Sequence, residues 1–79
     1  MGRIQFTLKK TLNELDISPY RLSVISTVRS NTIADMVGNQ SSRINIETLE
    51  LIITALNKIA AERGQSRRYN VADVFIYVD

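Results

Sequence analysis

The chain runs to 79 residues without a single cysteine or histidine. A domain of this length buries only about 60–65% of the surface its unfolded chain exposes, and cores that small are often reinforced by disulfides or zinc. Cysteine and histidine are the residues that build those reinforcements, so stability has to come from the packing of secondary structure, with a dimer interface as a further aid. Thiolate and imidazole chemistry are removed with them, as are the commonest zinc ligands, which makes an enzyme the least expected class and leaves no cofactor or metal to expect. Residues 1–79 are expected to form one domain. With 44% apolar and 23% charged residues, the composition is globular, not that of a disordered tail. No apolar run approaches the ~20 residues needed to cross a bilayer, and residues 1–10 lack the charged-then-apolar order of a signal peptide, so a soluble cytoplasmic protein is expected.

Helical periodicity dominates the chain. Leu8, Leu12 and Leu15 recur at spacings of four and three, which predicts an amphipathic first helix of about three turns. Ser18 before Pro19 is a helix start with a mechanism: the hydroxyl caps free amides, and proline is tolerated at the first helical position. A second helix is predicted from Pro19 to about Ser26, burying Leu22 and Ile25. Ser30, Asn31 and Thr32 offer caps for a third, which buries Ile33, Met36 and Val37 and closes at Gly38, placed in the left-handed position. After the polar stretch 39–43, Asn45 caps a fourth helix whose Leu49, Ile52, Ile53, Leu56 and Ile59 form one apolar stripe. Gly64 ends it.

The last segment admits two readings. Val74-Phe75-Ile76-Tyr77-Val78 is rich in β-formers, so a strand is a real alternative. A fifth helix is preferred, because Asn70-Val71-Ala72-Asp73 has the look of a cap with an acidic first turn, and Val71, Val74, Phe75 and Val78 fall at i, i+3, i+4 and i+7. The expected fold class is thus all-α, a compact five-helix domain.

Two short helices joined by a tight turn over 19–37, with Leu22, Ile25, Val28, Ile33 and Met36 facing inward, resemble the helix-turn-helix of the Cro and phage-repressor family, also called the xenobiotic-response-element family. Phe6-Thr7-Leu8-Lys9-Lys10 resembles that family's first helix, Asn45-Ile46-Glu47-Thr48-Leu49-Glu50 the start of its fourth, and Asp73-Val74-Phe75 the Asp-Leu-Phe that commonly opens its fifth. The resemblance covers nearly the whole chain and implies a repressor-like domain that binds duplex DNA through its third helix. Three residues depart from the pattern: Thr27 at the turn position usually held by Gly, Ser23 for the usual Ala, and Arg29 where a small polar residue is commoner. A positive φ at Thr27 would carry strain, since a β-branched residue tolerates it poorly. Residues 62–69 also form an insertion between the fourth and fifth elements.

The resemblance places Ser30, Asn31, Ala34 and Asp35 at exposed base-facing positions. Asn31 is the best reader, because an amide can make a paired contact to adenine. Ser30 would divide its oxygen between base and backbone, Ala34 could touch a thymine methyl, and Asp35 would accept from cytosine only against the repulsion of nearby phosphates. Arg29 leads the phosphate contacts, followed by Tyr20, Arg21, Thr32, Asn39, Gln40, Ser42 and Arg43. The charge distribution is compatible: residues 1–43 carry six basic and three acidic side chains (+3), the remainder four and five (−1), giving the net +2. Arg67-Arg68-Tyr69 looks like another nucleic-acid patch, but it lies far from residues 19–37 in sequence and a solvated loop is the preferred reading. Double-stranded DNA is the expected partner, bound by a homodimer on a two-fold operator, and the rival expectation is a protein-interaction module, an antitoxin or adaptor on the same fold.

Overall fold

A computed structural model describes residues 2–40 and 43–79. In chain order they form β1 (Arg3–Phe6), α1 (Leu8–Leu15), α2 (Pro19–Ser26), α3 (Ser30–Val37), α4 (Ile46–Glu62), a 3₁₀ turn (Val71–Asp73) and β2 (Phe75–Val78). The protein is therefore mostly helical with a small two-stranded antiparallel sheet. The strands pair Arg3 with Val78, Ile4 with Tyr77, Gln5 with Ile76 and Phe6 with Phe75.

The four α-helices arise much as their periodicity predicts. Leu8, Leu12 and Leu15 are buried on one face of α1, and α4 sinks Leu49, Ile52, Leu56 and Ile59 against Leu22, Ile33 and Met36. Ser18 Oγ accepts the Arg21 amide at 3.1 Å and starts α2. Asn45 Oδ1 accepts the amides of Glu47 and Thr48 at 2.8 and 3.3 Å and starts α4. Gly64, at φ 71°, follows the end of α4. No helix among the described residues is long and apolar enough to cross a membrane.

The expected fifth helix is not formed, and the reason lies 65 positions away in the sequence. A helix continuing past Asp73 would need the carbonyls of residues 72–74 to accept the amides of residues 76–78. Instead Thr7 Oγ1 donates to Ala72 O at 2.8 Å, Thr11 Oγ1 to Asp73 O at 2.7 Å, and the Thr7 amide to Val74 O at 2.8 Å. The Thr7–Val74 bond is the first rung of the β1–β2 ladder and the two hydroxyls hold residues 72–73 beside it, so the helical segment closes after one 3₁₀ turn and its β-branched and aromatic sequel pairs with β1. Asn70 and Asp73 do cap the turn as expected, Asn70 Oδ1 accepting from Ala72 N and Asp73 Oδ2 from Asn70 N. Val71, expected on the buried stripe, is 46% exposed. Phe6, expected in the first helix, lies in β1 and packs its ring on Phe75 with centroids 6.0 Å apart.

The insertion is not merely solvated. Tyr69 is buried, its amide and carbonyl bonded to the two ends of the Asn57 side-chain amide at 2.7 and 3.0 Å. Arg67 lies 4.7 Å over that ring and bridges Glu14 on α1 and Asp73 at 2.7 and 2.8 Å. The loop is clasped to the domain at three points. At the sheet, the Tyr77 ring lies over Gly2, where any Cβ would collide with the phenol oxygen.

Candidate nucleic-acid interface

Between α2 and α3 the chain has three residues, Thr27, Val28 and Arg29, to reverse its course. Val28 is buried and plugs the joint against Leu22 and Ile33. Thr27 adopts φ 65° and ψ 8°, the left-handed conformation in which a β-branched residue is strained. Its neighbours hold it there: buried Ser26 Oγ accepts the Val28 amide at 3.2 Å, and Thr27 Oγ1 donates to Ser26 O. The turn thus has the shape that glycine normally permits, stabilised by two hydroxyls.

That geometry fixes how α3 is rotated. Ile33 and Met36 face the core and are almost fully buried, while Thr32 and Val37 are half-buried at the flanks. Ser30, Asn31, Ala34 and Asp35 are consequently exposed on the opposite face. No side chain caps α3: Arg29 occupies the N-cap position with φ −58° and ψ 139°, correcting the expectation that Ser30, Asn31 or Thr32 would cap it. Ser30 is the first helical residue, so its hydroxyl makes no cap bond.

The end of α3 also differs from expectation. Gly38 has φ −80° and is not the left-handed residue; Asn39 is, at φ 58°. The amide of Asn39 bonds Met36 O at 3.1 Å and that of Gln40 bonds Asp35 O at 2.8 Å, the paired closure of a Schellman motif. Asn39 Oδ1 accepts the Phe6 amide at 3.0 Å, leaving only its amide nitrogen to reach a phosphate. Sequence reasoning places Asn39 among the phosphate contacts and misses this structural role.

The remaining described candidates are exposed at the ends of α2 and α3. Arg29 is exposed at the N-terminus of α3, Gln40 and Arg43 lie beyond the C-terminus of that helix, and Tyr20, 71% exposed, and Arg21 stand on the first turn of α2. Ser42 lies outside the described residues. Arg63, not singled out from the sequence, borders the same cleft of about 180 Å³ as Arg21, together with Ile17 and Ile25. No local pattern could have joined them, since α4 carries Arg63 there from the far half of the chain. Among the described residues no three His, Cys, Asp or Glu side chains cluster so as to hold a metal ion.

Comparison with known proteins returns no matching family model, no matching curated protein and no matching solved structure. The functional reading therefore rests on this geometry and on the resemblance carried by residues 19–37.

Proposed function

We propose that this protein binds double-stranded DNA sequence-specifically as a transcriptional regulator, a repressor in its simplest form, acting in the cytoplasm and not as an enzyme. One observation about α3 carries the reading: Ile33 and Met36 anchor one face while Ser30, Asn31, Ala34 and Asp35 stand exposed on the other, with Arg29 at the N-terminus. A helix so mounted can enter a major groove with its first residues against base edges. Asn31 offers the donor-acceptor pair that matches adenine, and Arg29 and Arg21 offer charge to phosphates on either side. Two copies related by a two-fold axis would read a symmetric operator, with half-sites about 34 Å apart.

One observation favours an antitoxin or adaptor role instead. The exposed Asp35 carboxylate sits on the reading face, where phosphates would repel it and a basic protein surface would not. Selection of bound sequences from a random duplex pool decides between the two. Enrichment of a defined motif is the expected result; a folded protein that enriches none overturns the DNA reading.

A further inference from the structure

The insertion 62–69 carries three arginines, Arg63, Arg67 and Arg68, and they stand in different surroundings. Arg67 is neutralised by Glu14 and Asp73 at 2.7 and 2.8 Å. Arg63 and Arg68 have no acidic partner among the described residues. Arg68 is exposed on the loop, whereas Arg63, the C-cap of α4, borders the cleft of about 180 Å³ that Arg21 reaches from the first turn of α2.

The lining of that cleft is of two kinds. Ile17, Ile25 and Ile59 are apolar and partly or fully buried, while Arg21, Glu62 and Arg63 are exposed. The apolar residues exclude water from one side, so the charges act through a lower dielectric than in open solvent. Glu62 is ion-paired to neither arginine, which leaves a net charge of +1 around the cleft. A cation at the end of α4 complements the helix dipole, which gives Arg63 a structural role. Arg21 has no such role, because it adds positive charge to the positive end of α2. The α4 carbonyls of residues 59–61 already accept the amides of residues 63–65, so the two guanidiniums and the start of α2 act in the same sense on an anion.

We propose that Arg21 and Arg63 together hold one phosphate group in this cleft, and that on the DNA-binding reading the group is a phosphodiester of the operator backbone. Guanidinium forks match phosphate oxygens and stay charged at every accessible pH. The cleft is smaller than the ~300–1,000 Å³ of sites that enclose organic ligands, which favours a compact anion. In a helix-turn-helix the helix before the recognition helix crosses the backbone, and Arg21 stands on the first turn of that helix. The insertion thereby extends the phosphate contacts from α2 to the end of α4, and the clasp of Arg67 and Tyr69 holds the chain after Arg63 against the domain. The inference rests on the DNA-binding reading for the source of the phosphate, not for the site.

Inorganic phosphate titrated into the free protein tests the site without DNA. It should shift the Nε–Hε NMR signals of Arg21 and Arg63 along one binding curve. Arg63→Ala should weaken the binding seen at Arg21 about tenfold, the loss of one charged hydrogen bond. On duplex DNA, Arg63→Ala should weaken the best operator and unrelated sequences by similar factors and lower the slope of log affinity against log salt by about one, while Arg63→Lys keeps most of the slope. Arg68→Ala removes the same charge from the same loop and should leave the slope unchanged. All three variants change exposed positions and should keep the helical spectrum. No phosphate response at the two guanidiniums overturns the proposal, and so does an Arg68 variant whose slope falls as far as that of Arg63→Ala, because net charge would then explain both. A duplex complex with the same slope with and without Arg63 overturns the backbone phosphate as occupant while the DNA-binding reading stands. A protein that takes inorganic phosphate at both arginines and binds no duplex overturns that reading and upholds the site, its ligand then a free phosphate compound.

Discussion

Asn39 Oδ1 accepts the backbone amide of Phe6 at 3.0 Å, tying the closing turn of α3 to the end of β1. Asn39 is also in the left-handed conformation, so two effects can be separated by substitution. Asn39→Gly keeps the backbone and loses the bond, and should cost about 0.5–1.5 kcal/mol. Asn39→Ala loses the bond and adds about 1 kcal/mol of left-handed strain. Urea unfolding of both variants checks the order; an alanine variant as stable as the glycine one would refute the strain component.

Thr27 holds a left-handed conformation without glycine, so Thr27→Gly should stabilise the protein by about 0.5–1 kcal/mol, net of the lost hydroxyl bond and the greater freedom of the unfolded chain. In a domain of this size that is a rise in Tm of about 2–8 °C. Ser26→Ala should do the opposite, costing about 1–3 kcal/mol by leaving the buried Val28 amide without an acceptor. Thermal melts of the two variants should move in opposite directions.

On the proposed DNA-binding reading, base reading by Asn31 and phosphate gripping by Arg29 have different signatures. Asn31→Ala should cost about 1–3 kcal/mol on the best operator and much less on unrelated DNA, with little change in salt dependence. Arg29→Ala should weaken both DNAs by similar factors and reduce the slope of log affinity against log salt by about one. Titrations at several salt concentrations measure both. Equal loss on all sequences for the Asn31 variant would mean that α3 docks differently.

The clasp on the insertion should be dominated by its buried member. Tyr69→Ala removes a buried ring and should cost about 3–5 kcal/mol. Arg67→Ala should cost less, and high salt should shrink the difference from wild type, because the guanidinium and its two acidic partners remain in contact with water. Unfolding in low and high salt distinguishes the two contributions.

Features that depend on near neighbours are legible in the amino-acid sequence. The stripe of Leu8, Leu12 and Leu15, the Ser18 cap before Pro19, the Asn45 cap and Gly64 all act within a turn or two of themselves, and each stands where its pattern puts it. The exposed faces of α3 follow from the same periodicity. The errors lie where distant residues decide. Thr7 and Thr11 bond the carbonyls of residues 72–74 and direct the chain into the sheet, and no window around residue 74 contains them. Arg67 reads as solvated because its acidic partners Glu14 and Asp73 come from other elements. At the end of α3 the rule that glycine closes a helix points to Gly38, one residue before Asn39, whose side chain has the Phe6 amide to hold.

The pairing of β1 with β2 also sets a timetable for synthesis. β1 leaves the ribosome first among the elements, yet its partner, Phe75–Val78, is made about seventy residues later, roughly 4–15 s at ordinary elongation rates. Through that interval α1, α2 and α3 can form and collapse on one another, but the acceptors for Thr7 and Thr11 do not yet exist. Strand Arg3–Phe6 waits without a mate, and the domain closes only when its last turn arrives.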